Sequence, residues 1–351
     1  MEITIKPYST EYAKQCADIE RYLWKENKEG REIRFDWTYT HCPNYSKPLC
    51  VIAINENNEV IGFRGYFLNK FFFANKEIII AQLSDSVVSN KARRMGIFQQ
   101  MTIFSLNYLT ENNVTMILNL SPSWSPYHGY KKMGFEDLAQ FHSRYRFNFC
   151  QIFAKVLLKR KREHWSNKET FKIEKNGITY CVLQKIGDDI LEQVESLENT
   201  VKIHASHEIN NLRWRTQRPD RHYIYAYAID NNKKILAFVM FKTLDYFLYD
   251  IGFMLYNNSK ILKKLFKTFC HNYRPAAIAA WDFALDEKNH KMLRMLGMHS
   301  IPFINKIRKN PPVLVRTLQT NQDGDLNWIV NGIDIRKVEN WSISKLDLDS
   351  F

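Results

Sequence analysis

The sequence predicts a mixed α/β protein built from two similar domains in tandem. Three observations carry that expectation. Apolar runs of strand length alternate with segments of helical spacing. A block in the first half of the chain returns in the second half. The length, 351 residues, suits two domains at roughly 100–200 residues each.

Residues 10–27 read as a helix. "LCVIAIN" (49–55) and "EVIGFRGYFLNKFFF" (59–73) read as strands about the turn "NENN". "KEIIIAQLSDSVV" (76–88) continues the sheet. Residues 96–111 return to helical spacing, with Ile97, Met101, Phe104 and Tyr108 on one side. "VTMILNL" (114–120) reads as a buried strand. "SPYHGYKKMGF" (125–135) reads as a short helix that stops at Gly134, a residue suited to the left-handed turn after a helix.

The returning block is "RFDWTYTHCPNYSKPLCVIAINENNEVIGF" (34–63) against "NLRWRTQRPDRHYIYAYAIDNNKKILAF" (211–238). Trp37 aligns with Trp214, Pro43 with Pro219, and Asn57-Asn58 with Asn231-Asn232. Farther on, "KKMGF" (131–135) is echoed by "RMLGM" (294–298). A period this long is a domain duplication, not a solenoid repeat. The expected division is a first domain over 1–155, a basic linker over 156–172, and a second domain with a C-terminal tail over 173–351.

The formal net charge of +13 attracts anions, and phosphate-bearing cofactors are among them. The basic run "LLKRKREHW" (157–165) is short and reads as a solvated linker, so no nucleic-acid partner is expected. The six cysteines form no CxxC, and no Cys/His spacing suits zinc, so no metal is expected. The N-terminal segment does not read as a signal peptide, and no apolar run reaches the ~20 residues that span a bilayer. These features predict reduced thiols in a cytoplasmic protein without a membrane partner.

The stretch "VVSNKARRMGIFQQM" (87–101) carries the sharpest chemical signal. A strand running into a helix leaves unpaired N–H groups at the helix start, and the helix dipole adds positive charge there. Gly96 lets a ligand approach the backbone, while Lys91, Arg93 and Arg94 add full charges. Such a turn suits a pyrophosphate. Neither the P-loop nor the dinucleotide-binding glycine pattern is present. The second copy has "YDIGFMLYNNSKILKKLFKTF" (249–269) in this region, with no Arg-Arg-x-Gly. One anion site per chain is therefore expected.

Strand, Val88, Arg93-x-x-Gly96, helix, strand and then Tyr130-x-x-x-Gly134-Phe135 together resemble the GNAT superfamily of acyl-CoA-dependent N-acyltransferases. The resemblance covers about residues 3–150, and residues 175–310 resemble a degenerate GNAT domain. The family loop reads Q/R-x-x-G-x-G/A. Arg93, Arg94, Met95, Gly96 and Ile97 fill its first five places, and Phe98 departs from the sixth.

The resemblance implies acyl-CoA as co-substrate, held by those six residues with the backbone of Val87 and Val88, Asn119 and Tyr127. It places Tyr130 as the general acid for the thiolate leaving group. Asp85 is the carboxylate placed to act as a base, although a structural role paired with an arginine fits it as well. The resemblance extends to bacterial nucleotide-linked aminosugar N-acyltransferases of polysaccharide (O-antigen) gene clusters. One group of these acylates a dTDP-linked 3-amino-3,6-dideoxyhexose from hydroxybutyryl-CoA. That acceptor implies stacking and charged contacts from Arg34, Trp37, Tyr39, Ser121 and Trp124, with Trp37 alternatively a packing anchor shared with Trp214. Other readings are a GNAT acting on an aminoglycoside or a peptide or protein amine, a tRNA-dependent aminoacyltransferase of peptidoglycan synthesis, and a non-catalytic module of the same fold. A homodimer is compatible with all of them.

Overall fold

The computed structural model describes residues 2–73, 76–157, 170–198, 200, 202–245, 248–303 and 311–348. Most of the linker expected at 156–172 lies outside these residues.

The strands of the first half are β1 (Ile3–Pro7), β2 (Val51–Asn55), β3 (Val60–Phe73), β4 (Lys76–Val88), β5 (Met116–Asn119), β6 (Glu136–Ala139) and β7 (Ser143–Phe147). Those of the second are β8 (Phe171–Lys175), β9 (Ile178–Leu183), β10 (Ile203–Ala205), β11 (Tyr223–Asp230), β12 (Ile235–Asp245), β13 (Leu248–Tyr256), β14 (Ala277–Trp281), β15 (His299–Ser300) and β16 (Val313–Thr317). The helices are α1 (Ala13–Ile19), α2 (Lys28–Phe35), α3 (Ile97–Glu111), α4 (Trp124–Lys132), α5 (Phe149–Leu157), α6 (Asp188–Val194), α7 (Ile209–Thr216), α8 (Ser259–Tyr273) and α9 (Glu287–Met295).

Two mixed sheets result. The first has the order β1-β2-β3-β4-β5-β16-β6, and the second β15-β7-β14-β13-β12-β11-β9-β8. Each contains an antiparallel meander, β2-β3-β4 or β11-β12-β13. Each meander is followed by one parallel pair, β4 with β5 or β13 with β14, joined by α3 or α8. The next strand in each sheet comes from the other half. β16 pairs with β5 and β6, while β7 pairs with β14 and β15. The halves therefore exchange strands across the expected boundary near residue 155: β7 joins the second sheet, while β16, β10 and the strand Trp341–Ser342 join the first.

The duplication extends to single hydrogen bonds. Asn55 Oδ1 accepts from the amides of Asn57 and Glu59, and Asp230 Oδ1 accepts from those of Asn232 and Lys234. These bonds align Asn57 with Asn232, one residue from the sequence match with Asn231. Asn58 and Lys233 then share left-handed φ values of 64° and 61°. Gly134 and Gly297 end their helices at 80° and 79°.

Trp37 and Trp214 pack on each other with ring centroids 4.6 Å apart and planes 15° apart. Each indole N–H donates to the other's backbone carbonyl, at 3.2 and 3.0 Å. The equivalent tryptophans thus form the contact between the two copies. The C-terminal segment threads the same interface. Its strand Trp341–Ser342 pairs with β10, the carbonyl of Asp347 accepts from Gln82 on β4, and Arg215 of α7 donates to the carbonyls of Leu346 and Leu348.

The helix expected over 10–27 is broken. Only Ala13–Ile19 is α-helical, with tight turns on either side and a second helix from Lys28 to Phe35. Asn27 caps α2 by accepting from the Gly30 amide at 2.8 Å. A π-helical turn over Asp36–Thr40 then directs both Trp37 and Tyr39 into the interior.

Candidate active site

Strands β4 and β5 pair only from Ile80↔Met116 to Gln82↔Leu118. Beyond Gln82, β4 runs on to Val88 while β5 ends at Asn119, which opens a wedge between neighbouring parallel strands. A bulge begins at the same place. Between the pairs Tyr66↔Leu83 and Arg64↔Ser86, β3 places Gly65 where β4 places Ser84 and Asp85. The extra residue bends β4 away from β5. A Cβ on Gly65 would lie 2.1 Å from the Tyr39 hydroxyl, so only glycine lets Tyr39 approach there.

The Arg-Arg-Met-Gly turn lies beside the mouth of the wedge. Gly96 is the N-cap of α3 at φ 75°, and no side chain caps the helix. The first amides of α3 are therefore open to a ligand. An added Cβ at Gly96 would meet only Gln100 Nε2, at 3.6 Å, so the backbone is accessible. Arg94 also takes a left-handed conformation, φ 67°. Arg93 is exposed, with Nε 3.5 Å from the Val88 carbonyl, and Met95 is 42% exposed. An open helix start flanked by two arginines fits the pyrophosphate of a coenzyme A thioester.

Phe98 does not obstruct this cradle. Its ring turns inward and meets Tyr130 edge-on at 5.3 Å, with the Arg64 guanidinium 5.4 Å from its centroid. A Cβ on Gly129 would come within 3.1 Å of that ring. The bulk expected at the helix start is accommodated in the core against a glycine of α4.

Tyr130 is buried, and its hydroxyl accepts a 2.5 Å hydrogen bond from Arg64 Nη1. Burial raises its pKa and Arg64 partly offsets this, so the phenol keeps its proton at neutral pH. Arg64 is fully buried on β3 and also donates to Ser86 Oγ and Tyr66 Oη. Its Nη2 has no hydrogen-bond partner. Sequence reasoning did not select Arg64, because an arginine inside an apolar strand pattern gave no sign of facing Tyr130. Tyr127, also expected on the cofactor side, is directed to the protein surface, where its hydroxyl donates to Asp137.

Asp85 lies at the bulge but is enclosed. Its Oδ1 accepts from the Trp24 indole at 2.7 Å, and its Oδ2 from Tyr39 at 2.8 Å and Arg34 at 3.1 Å. Although burial opposes it, the Arg34 guanidinium and these hydrogen bonds hold the carboxyl below its usual range. Arg34 also pairs with the fully buried Glu20. Burial and the neighbouring Asp85 push Glu20 well above its usual range. One cation thus serves two carboxyl groups, with Asp85 ionised and Glu20 neutral. A carboxylate in this state is a poor proton acceptor.

Three residues expected at the acceptor are committed elsewhere. Arg34 is paired with Asp85 and Glu20, and Tyr39 donates to Asp85. Trp37 is covered by Trp214, with the Arg218 guanidinium 4.9 Å from its ring. Trp37 and Tyr39 are interior because the π-helical turn points them inward, a feature without a sequence signal, and Arg34 is on the buried side of α2. Ser121 and Trp124 follow the end of β5 and are exposed, Trp124 by 49%. Asn119 is buried and accepts from the Ser121 amide at 3.2 Å. Val87 and Val88 end β4, with Val87 packed into the core.

A mixed sheet whose central parallel strands splay beside a glycine-capped helix start is the GNAT architecture; the second sheet repeats the meander and parallel pair, but there Asn258 caps the helix α8. Residues 4–137 match the family described as "Acetyltransferase (GNAT) domain". No curated protein matches the sequence. Among solved structures, the fold is similar to a conserved protein of unknown function, a probable N-acyltransferase, from Enterococcus faecalis V583. The TM-score is 0.66 at 12% identity, covering 91% of this chain and 73% of that one. A GCN5-related N-acetyltransferase from Anabaena variabilis ATCC 29413 gives 0.62 at 12% identity, with coverage of 91% and 73%. A tandem GNAT protein from the clavulanic acid biosynthesis pathway gives 0.54 at 10% identity, covering 92% of this chain and 100% of that one. The domain match supports an acyl-CoA N-acyltransferase in the first half of the chain, and the solved structures share its fold.

Proposed function

We propose that the first domain transfers an acyl group from coenzyme A to an amine, and that its acceptor is a nucleotide-linked aminosugar. The observation that supports the donor half is the wedge between β4 and β5 beside the uncapped start of α3. In this reading Arg93, Arg94 and the amides of Gly96, Ile97 and Phe98 hold the pyrophosphate. The pantetheine lies in the wedge along Val87, Val88 and Asn119. A backbone N–H of β4 faces the thioester oxygen and stabilises its negative charge.

The neutral amine attacks the thioester carbon. The tetrahedral intermediate collapses, the C–S bond breaks, and the departing thiolate takes the Tyr130 proton. The phenolate left behind is stabilised by Arg64. The amine's surplus proton leaves to water, which suits the enclosed state of Asp85. Asp85 in this reading is a positioning residue that ties the bulge of β4 to α2.

The sequence resemblance supports the nucleotide-sugar acceptor. Of the residues assigned to it, Trp124 and Ser121 remain exposed beside the end of β5, so Trp124 is the available stacking surface. Immobilised coenzyme A is expected to retain the wild-type protein and not Gly96→Asp. Equal retention removes the cradle. dTDP is expected to raise the melting temperature of wild type and not of Trp124→Ala. A clear shift with coenzyme A and none with dTDP or UDP leaves the donor assignment standing and overturns the acceptor.

A further inference from the structure

We infer that Glu198, His204 and His207 form a binding site for a divalent transition-metal ion of the zinc class, at the junction of the two copies. The three residues each offer a ligand atom, and these atoms lie within 4.8 Å of one another. His204 belongs to β10, which pairs with β3 of the first sheet through His204↔Phe72. His207 lies just beyond that strand, before α7, and Glu198 follows the turn Glu195–Leu197.

The second observation is the state of His207. The residue is 6% exposed, and its Nδ1 has no hydrogen-bond partner. That nitrogen is 3.1 Å from Glu198 Oε2, a pairing of imidazole and carboxylate. Two ligand atoms at this separation are close enough to share one ion. With metal–ligand bonds of about 2.0–2.2 Å, a tetrahedral ion sets its ligands about 3.3–3.5 Å apart. His204 Nδ1 lies 3.0 Å from the Ala205 carbonyl. The same nitrogen is 3.9 Å from Glu198 Oε2, so His204 borders the carboxylate as His207 does.

The surroundings also suit an ion. The His204 ring stacks on Phe72 at 5.4 Å and on His207 at 6.0 Å, and the His207 ring lies 4.3 Å from Phe253 of β13. Two imidazoles and a carboxylate in an aromatic shell favour zinc or cobalt over magnesium or calcium. Glu198, His207 and Asp347 line one cavity with Gly252, at the bulge of β13, and with Ser342–Lys345 of the C-terminal segment. An ion held by Glu198 and His207 would border that cavity. The cavity is the second domain's counterpart of the wedge between β4 and β5, where the Arg-Arg-x-Gly turn has no equivalent. A bound ion would connect β10 and the segment before α7 to the turn Glu195–Leu197.

The test uses the full chain, stripped with a chelator and titrated with Zn²⁺ by calorimetry and with Co²⁺ by absorption. Wild type is expected to bind one ion per chain with an affinity at least about tenfold above that of Glu198→Gln and of His204→Gln/His207→Gln. Zn²⁺ is expected to raise the melting temperature of wild type and not of these variants. Bound Co²⁺ is expected to show tetrahedral d–d bands without thiolate charge transfer, which separates the site from binding by cysteine. Binding by wild type no tighter than by the double variant overturns the site. If the variants do not fold, the wild-type cobalt spectrum decides alone. Absent tetrahedral bands, or bands accompanied by thiolate charge transfer, overturn the assignment.

Discussion

The buried trio of Glu20, Arg34 and Asp85 allows a prediction that separates charge from shape. Arg34→Met keeps much of the side-chain volume but leaves the Asp85 carboxylate, 2% exposed, without its cation. Removing one partner of a buried pair costs about 3–5 kcal/mol, a large part of the roughly 5–15 kcal/mol that stabilises a domain. Glu20→Gln is expected to cost about 1 kcal/mol or less, because Glu20 is already neutral in the folded chain.

The pH dependence has a defined sign. A carboxyl with a raised folded pKa contributes stability that is complete below its usual 4.5 and is lost as pH rises towards the folded value. Relative to wild type, Glu20→Gln therefore becomes more stable above pH 4.5, with a slope of at most about 1.4 kcal/mol per pH unit for one proton. Urea unfolding of the three proteins at several pH values measures both effects. A Glu20→Gln cost equal to that of Arg34→Met, or a difference that does not change with pH, would refute the assignment of the charge to Asp85.

Tyr130→Phe is expected to lower kcat by about 10²-fold or more with little change in KM, as loss of a general acid requires. Unchanged turnover in free-thiol release removes Tyr130 from the chemistry. Burial, reinforced by Arg221 and Arg218, pushes the Lys242 ammonium down to about 7. Between that value and its usual 10.5, the unfolded chain binds a proton that the folded chain does not, so stability rises with pH in this window. Lys242→Met is expected to be more stable than wild type at and below pH 7, with the gain fading towards pH 10.5. A gain independent of pH in denaturant titrations would show that Lys242 acts through packing instead.

Local rules made much of the fold legible in the sequence. The strands at 49–55, 59–73 and 76–88 follow from their apolar, β-branched and aromatic runs, and the helix at 97–111 follows from its spacing. Gly96 and Gly134 marked a helix start and a helix end because a left-handed backbone selects glycine. Only pairs of distant residues could show the rest. The helix read over 10–27 failed because Glu20 and Trp24 serve the buried Arg34–Asp85 cluster, which their spacing does not reveal. The His-Ala-Ser-His run at 204–207 has no cysteine beside it, and Glu198 joins it only through folding.

The sequence by itself determined that the chain is doubled and that one copy carries the Arg-Arg-Met-Gly turn. Both are properties of residues near one another in the chain. Tertiary structure decided that Trp37 and Trp214 face each other and that β7 and β16 change places. It also decided that Arg64 stands beside Tyr130 and that Asp85 is enclosed. The physical reason is that stacking between equivalent residues, strand exchange and burial of charge depend on contacts between residues far apart in the chain, to which local periodicity and turn chemistry are blind.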